Sequence, residues 1–412
     1  MILDYNEVNK ILDSFNNTSI KENEPLNYTE NAKLPIRYFT LGNGNKHIVV
    51  TASWHSNEII TTSFVIELMQ YLVNNNYQFN NLKIHFIPIL NPEGYLINTS
   101  AIKRKLPNKN ITEYCYEYYK NFKYDALNPN NKVKLHQLMF EDIDYTCIDN
   151  NYFILRDKVQ DILSNHPKGS IIDWASNGNG IDLNSNTVNK IVSPNEYNKQ
   201  ATYNNIRLDI PSPIGYPGNN KDNNFTQEIE ILSLTTLLES LKDNIYGYFN
   251  YHSIGGIIYN RPESNDNFIT LYNYLLSKYY QTYTNYKVIR NKSNIITSVN
   301  DTLRIKYLGN LLIELSPMMG NPIGVYGDIN NYNNTVNSNI KSFIYTLSSI
   351  EEILNKTNNL LDNNIEEALN IIDAKKLRGW VEMNNFYSVS FFIIFCLGKG
   401  MFSFFKFNGL SQ

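Results

Sequence analysis

Three cysteines in 412 residues, Cys115, Cys147 and Cys396, cannot all pair with one another and follow no metal-ligand spacing. That argues against a disulfide framework and sets the expectation of a reducing compartment with structural thiols. Charge of one sign is also missing. Thirty-six lysines and arginines against 39 aspartates and glutamates leave a formal net charge of −3, which gives no electrostatic reason for a nucleic-acid partner. The N-terminal stretch MILDYNEVNKILDSF carries acids early and has no uninterrupted apolar core. It reads as an amphipathic helix through Ile2, Tyr5, Val8, Ile11, Leu12 and Phe15 rather than a signal peptide, so a cytoplasmic protein is expected. Long apolar runs are scarce. The strongest, FYSVSFFIIFCLGKGMFSFFKF from Phe386, is broken by Lys399 and two glycines, and its part before Gly398 falls short of the roughly 20 residues of a membrane span. A buried or interfacial segment is expected there, with a membrane tether through residues 386–407 as the alternative.

What is present suits one large α/β domain or two smaller ones. Asparagine and tyrosine are abundant, as in NNNY (Asn74–Tyr77) and DINNYNN (Asp328–Asn334). This is read as compositional drift that inflates chance matches to asparagine-containing motifs. Ile36–Leu41 and Lys46–Ser53 read as strands, and the Gly42-Asn43-Gly44-Asn45 turn between them predicts a hairpin. A helix over 59–73 follows, through Ile60, Phe64, Val65, Leu68, Tyr71 and Leu72 at helical spacing. Leu82–Leu90 is a second buried strand that ends in the turn Asn91-Pro92-Glu93-Gly94. The alternation predicts an α/β fold: a mixed, mainly parallel twisted sheet with helices on both faces and sites gathered at the carboxyl ends of strands. Residues 1–30 are taken as a helical lead-in, 31–355 as the main domain and 356–412 as a C-terminal helix with the apolar tail. Within the main domain, 98–170 reads as an insertion over the sheet edge, with helices around Glu113–Phe122 and Lys134–Phe140.

The stretch that organises the chain is Val49–Glu58, VVTASWHSNE, in which a β-branched strand runs out into His55 and Glu58. Imidazole nitrogen and carboxylate oxygen are both good ligands for zinc, and a catalytic site wants three protein ligands and one open position. Three later stretches add to this pair. In Asp173–Asn186, DWASNGNGIDLNSN, a Gly-Asn-Gly turn delivers a short strand Ile181–Asn184 that ends in amide and hydroxyl side chains. Residues 226–242 predict a helix, and Ile245–Tyr251 a strand that ends at His252-Ser253. Asn310–Leu315, NLLIEL, holds one acid, Glu314, in an apolar run, where an uncompensated carboxylate is costly. His136 and His166 read as surface or hydrogen-bonded core histidines.

Together and in this order, HSNE, NPEG, GIDLNSN, PSPIGYPG (211–218), YHSIGGIIY and LLIELSP resemble the zinc metallocarboxypeptidase family, of carboxypeptidase A-like fold, from about residue 35 to about 345. The resemblance implies one zinc ion held by His55, Glu58 and His252, with Glu314 as general base and acid on a peptide substrate. Two departures stand out. The family's arginine for the substrate's terminal carboxylate is replaced by Ser185, beside a retained Asn184. A basic residue that steadies the oxyanion is replaced by Ala175 in Trp174-Ala175-Ser176-Asn177. Loss of one oxyanion donor typically costs on the order of 10²–10³ in rate. Arg104, in the cluster Lys103-Arg104-Lys105, is the candidate substitute, with Asn184 and Ser185 as neutral substrate contacts. Trp174…Asn177 and ELSPMMGNP look more like the bacterial branch that cuts γ-D-glutamyl–diaminopimelate bonds in cell-wall peptides. The expectation is therefore a zinc metallopeptidase acting on small peptides, with muropeptides as one substrate class. The alternative is a degenerate relative that holds zinc and peptides without cleaving them. His47 and His85 are expected to be spectators.

Overall fold

The computed structural model describes residues 3–105, 142–166, 170–187, 202–203, 206–207, 209–218, 226–260, 263–290, 298–317 and 329–373. The expectations for Cys115, His136, Cys396, the helices around Glu113–Phe122 and Lys134–Phe140, and the apolar tail lie outside these residues. Among the described residues no helix is long and apolar enough to cross a membrane.

An eight-stranded mixed sheet forms the centre. Its strands are β1 (Ile20–Asn23), β2 (Tyr38–Leu41), β3 (Lys46–Thr51), β4 (Leu82–Ile87), β7 (Ile245–Gly255), β8 (Ile257–Asn260), β9 (Lys287–Arg290) and β10 (Asn310–Pro317), with a separate two-stranded ribbon of β5 (Thr202–Tyr203) and β6 (Ile206–Arg207). The order across the sheet is β1-β2-β4-β3-β7-β10-β8-β9. Pairing is parallel from β4 through β3 and β7 to β10, and antiparallel at β1–β2, β2–β4 and β10–β8. The helices are α1 (Tyr5–Ser14), α2 (Ile59–Asn74), α3 (Pro92–Lys105), α4 (Phe153–Ser164), α5 (Ile229–Leu241), α6 (Asn267–Thr284), α7 (Val299–Lys306), α8 (Ile329–Ser348) and α9 (Ile350–Leu360).

Side-chain alternation divides the core in two. Ile48 and Val50 of β3, Phe249 and Tyr251 of β7, and Leu311, Ile313 and Leu315 of β10 join the larger cluster, with α1, α2, α3, α4, α6, α8 and α9. Val49 and Tyr248 turn to the smaller cluster, with Trp54, Leu183, Ile231, Leu234 and Leu238 of α5, and Val299 and Leu303 of α7. The same period of two puts Thr51, Asn250, His252 and Glu314 on that second face. There the polar side chains of the strands meet α7 and the turn around Leu183.

Several local expectations change. The hairpin does not form, because β4 lies between β2 and β3. The Gly-Asn-Gly-Asn segment instead crosses the start of β4: the Gly44 N–H donates to the Leu82 carbonyl at 3.1 Å and the Lys46 N–H to the Asn81 carbonyl at 3.1 Å. A Cβ at Gly44 would stand 2.0 Å from the Asn81 backbone, so the glycine allows a close crossing rather than a tight turn. The strand expected at Ile181–Asn184 is a 3₁₀ turn, Leu183–Ser185, because Asp182 accepts hydrogen bonds from the Asn184 and Ser185 N–H groups and caps it. The Asn-Pro-Glu-Gly turn opens α3, whose last turn is Lys103–Lys105. Residues 1–30 supply α1 to the larger core and β1 to the sheet edge.

Buried acids tie down the loop before this turn. The Asn177 amide donates to Glu228 Oε2 at 2.7 Å and to Glu230 Oε1 at 3.4 Å, while its own oxygen accepts the N–H groups of Asn179 and Ile181. Glu93 accepts the Asn31 and Ala32 N–H groups at 2.8 and 2.6 Å. Glu230 is buried with Oε2 unbonded. Burial, reinforced by the charge of Glu228, pushes its carboxyl up to about 8. A raised folded-state value means that the fold is favoured while Glu230 is neutral and loses that stability as pH rises through about 8. Wild-type urea midpoints should therefore fall as pH rises from about 5 to about 8, and Glu230→Gln should make that fall shallower. A wild-type midpoint independent of pH over this window would show that Glu230 does not titrate there.

Candidate metal centre

At the carboxyl end of β3 the chain turns through Ser53 at φ 52, left-handed backbone that a non-glycine residue adopts only when held. It is held from both sides. The Ser53 N–H donates to Thr61 Oγ1 at 2.9 Å, and its carbonyl accepts the Asn91 N–H at 3.1 Å. This turn delivers His55, and Glu58 follows at the start of α2. His55 Nδ1 lies 3.0 Å from Glu58 Oε1, and Glu58 Oε2 lies 3.1 Å from His252 Nδ1. One ligand atom from each of the three residues falls within 4.8 Å of the others, so the cluster could hold one metal ion.

The donor set fits zinc. Two imidazole nitrogens and one carboxylate are its usual partners, and three protein ligands leave a fourth position open. Glu58 Oε2 is buried and makes no hydrogen bond although His252 Nδ1 is so near, an orphaned oxygen that a cation between them would satisfy. The far nitrogen of His55, Nε2, lies 3.3 Å from Asp182 Oδ1. Such a carboxylate fixes ring orientation and makes the ligating nitrogen more basic. Asp182 is itself held, since Oδ1 accepts the Asn184 N–H at 3.0 Å and Oδ2 the Ser185 hydroxyl at 3.1 Å.

The electrostatics are those of a cation site. Burial lowers the affinity of His55 for a proton, yet the charges of Glu58 and Asp182 outweigh it and hold the imidazole well above its ordinary value. Burial acts to raise Glu58, but the imidazoles of His55 and His252 outweigh it and keep that carboxyl low. Asp182 is lowered in the same way, burial being outweighed chiefly by His55. Glu314 goes the other way. Burial and the charge of Glu58 raise it to about 8, with His55 opposing. Among the described residues, no lysine or arginine is a main cause of these four shifts.

Glu314 is in register with His252 across the parallel β7–β10 pair, on the same face of the sheet. Asn184 reaches the site's edge with its Oδ1 accepting from Asn300 at 2.8 Å. The Asn300 amide nitrogen also lies 3.4 Å from His252 Nε2. The hydroxyl of Ser185 goes to Asp182 rather than to the cleft. Ala175 passes close behind His55, its carbonyl accepting the Ser56 N–H at 3.2 Å. Among the described residues, Arg104 makes no ion pair with the cluster. It is exposed in the last turn of α3, about 18 Å along the helix from Pro92, and its charge is felt by Cys147. His47 and His85 join Tyr38 in a chain, with His47 Nδ1 2.7 Å from His85 Nε2 and the Tyr38 hydroxyl 2.5 Å from His85 Nδ1. They share the polar face; His47 sits near the start of β3, about 13 Å from Thr51, while His85 pairs with Val49, about 7 Å short of the level of Thr51. His166 is a buried histidine whose Nε2 bonds the Pro211 carbonyl at 2.9 Å. Sequence reasoning missed Asp182 and Asn300. The first could have been found from its place in GIDLNSN, whereas nothing in SVNDTL signals the second.

The sequence matches the zinc carboxypeptidase family over residues 18–299. No curated protein matches it. Carboxypeptidase A from Helicoverpa armigera superposes with a TM-score of 0.50 at 12% identity, covering 84% of this chain and 74% of that one. Bovine thrombin-activatable fibrinolysis inhibitor, in complex with tick carboxypeptidase inhibitor, gives 0.47 at 14% identity, with 85% and 98% covered. A metallo-carboxypeptidase from Pseudomonas aeruginosa gives 0.43 at 9% identity, with 85% and 69% covered.

His55→Ala should abolish tight zinc binding, and full zinc occupancy of that variant by metal analysis would remove His55 from the ligand set. Asp182→Asn keeps the shape but removes the charge behind His55. It should weaken zinc about 10–100-fold in chelator competition. His85→Ala should leave zinc content unchanged.

Proposed function

The chain belongs to the zinc carboxypeptidase family, and on that footing we propose that it hydrolyses a peptide or isopeptide bond in small peptides. In this reading His55, Glu58 and His252 hold one zinc ion and Glu314 is the general base. The observation that carries it is the register of Glu314 with His252, on one sheet face beside the His-Glu-His cluster. When bound, zinc polarises a peptide carbonyl and acidifies water at its open position. Glu314 does the proton work. Its raised value reflects burial beside the charge of Glu58, and a cation on Glu58 offsets that charge, so the carboxylate forms nearer neutrality. It then takes a proton from the attacking water and returns it to the departing amine. Asp182 keeps the His55 ring in place, and the Ser185 hydroxyl keeps Asp182 in place.

On the substrate side the charges are absent where the family pattern has them, at Ala175 and Ser185. A free terminal carboxylate meets neutral donors, about half as strong as charged ones, so ordinary C-terminal peptides are poor substrates. Peptides bearing γ-D-glutamyl–diaminopimelate bonds, such as muropeptides, are the better candidates in this reading. The same absence favours a second reading, a zinc protein that binds peptides without cleaving them.

Glu314→Gln should retain zinc while turnover falls about 10²–10⁴-fold; wild-type turnover in that variant would move the base elsewhere. Zinc-loaded protein offered γ-D-glutamyl–diaminopimelate peptides beside ordinary C-terminal peptides should cleave the first class faster. Binding of both without cleavage of either would establish the second reading.

A further inference from the structure

Behind the His-Glu-His cluster a line of polar side chains crosses the second face of the sheet. Trp54, Thr51, Tyr248, Asn250 and Asn300 are all buried. Trp54 Nε1 lies 3.1 Å from Thr51 Oγ1, the Tyr248 hydroxyl lies 3.1 Å from the same oxygen, and Thr51 Oγ1 lies 3.1 Å from Asn250 Oδ1. The Asn250 amide then meets Asn300 Oδ1, and Asn300 Nδ2 meets Asn184 Oδ1 at 2.8 Å.

The direction of this line follows from what each group can give. An indole N–H only donates, so Thr51 accepts from Trp54. The Tyr248 hydroxyl also carries a proton that burial obliges it to place. Its neighbours are the Trp54 N–H, which cannot accept, and Thr51 Oγ1, which can. Thr51 therefore accepts twice and has one proton left, which goes to Asn250. That turns the Asn250 oxygen toward Thr51 and its NH₂ toward Asn300. The Asn300 oxygen must then face Asn250, and its NH₂ faces Asn184. Asn184 in turn accepts with its oxygen, so its own NH₂ is turned away from Asn300, whose amide nitrogen also lies 3.4 Å from His252 Nε2.

We propose that Thr51, Asn250 and Asn300 are positioning residues that lock the Asn184 carboxamide with its NH₂ toward the cleft, so that Asn184 offers a donor to a carboxylate or carbonyl oxygen of the substrate. An unlocked amide is free to present oxygen instead, which repels the same substrate atom. The lock makes a neutral side chain into a donor of fixed sign at a position where no charged donor stands. The identity of the oxygen it meets rests on the hydrolytic reading above; the lock itself rests on the hydrogen-bond line.

The test compares zinc-loaded wild type, Thr51→Val, Thr51→Ser, Asn184→Ala and the Thr51→Val/Asn184→Ala double variant. On the peptides that the wild type cleaves, Thr51→Val should raise KM about tenfold, the worth of one hydrogen bond to a charged or polar oxygen. Its kcat should stay within about twofold, and metal analysis should show wild-type zinc. Thr51→Ser, which keeps the hydroxyl, should restore KM. The double variant should be no worse than Asn184→Ala alone. Thr51 and Asn184 do not touch, so independent effects would multiply, and multiplied effects or an unchanged KM in Thr51→Val would overturn the proposal. If the zinc-loaded wild type cleaves no peptide, the hydrolytic reading fails, and urea unfolding of the same proteins decides the lock. Midpoint shifts that do not add support it, and additive shifts overturn it. Should Thr51→Val fail to fold, Asn250→Ala cuts the line one link further on and is read in the same way.

Discussion

The parallel pairing of β7 with both β3 and β10 is the constraint on which the rest depends. Parallel neighbours end on the same side of a sheet, so three chain segments far apart in sequence release their last residues together. Thr51 pairs with Asn250, and Glu314 pairs with His252. The pleat then decides which way each side chain points. A one-residue slip of β7 against its neighbours would send His252 into the larger apolar cluster and Tyr251 into the cleft. Phe249 and Tyr251, packed among the aromatic rings of Phe64, Tyr280 and Phe343, make that slip costly. The register of the polar groups is thus set by apolar ones on the opposite face.

A concentration of charge on one side of a sheet needs compensation, and here the groups supply it for each other. Glu58 and Asp182 both favour a positive His55, and the imidazoles in turn favour ionised carboxylates. A proton on His55 and a metal ion thus serve the same electrostatic purpose, and because ligation needs the deprotonated imidazole the two compete. The surrounding groups are neutral but directional. Amides and hydroxyls that fix one another's direction order a site without adding to its charge.

Much of this was legible in the sequence because the chemistry sits in short segments next to strongly patterned ones. The Ile48–Val50 run and the IYGYFNY strand announced themselves; His252 follows the second directly, and His55 follows the first after a short turn. The α2 helix was visible too, although it was expected to have one apolar face. Its first two turns are buried all round, with Thr61 and Thr62 returning their hydroxyls to the Glu58 and Pro88 carbonyls. What could not be read was long-range order. Nothing local in Gly42–Asn45 says that β4 inserts between its flanking strands, and a glycine needed for a close crossing looks the same as one needed for a turn. The α3 helix escaped notice because PEGYLINTSAIKRK is poor in strong helix formers, and tertiary burial decides it instead. Asn300 had no signal at all. Its importance comes from the two asparagines that it touches, at positions 184 and 250.

The insertion of β4 between β2 and β3 also governs when the site can come into being. β3 pairs with β4, the next strand in sequence, but finds its second neighbour only when β7 arrives. His55 and Glu58 leave the ribosome almost two hundred residues ahead of His252, and at about 5–20 residues per second that is a wait of roughly 10–40 s. Through that interval the nascent chain carries a two-ligand fragment with no third partner. Metal capture is therefore a late event in the life of each molecule, coupled to completion of the sheet's centre rather than to the appearance of its first ligands.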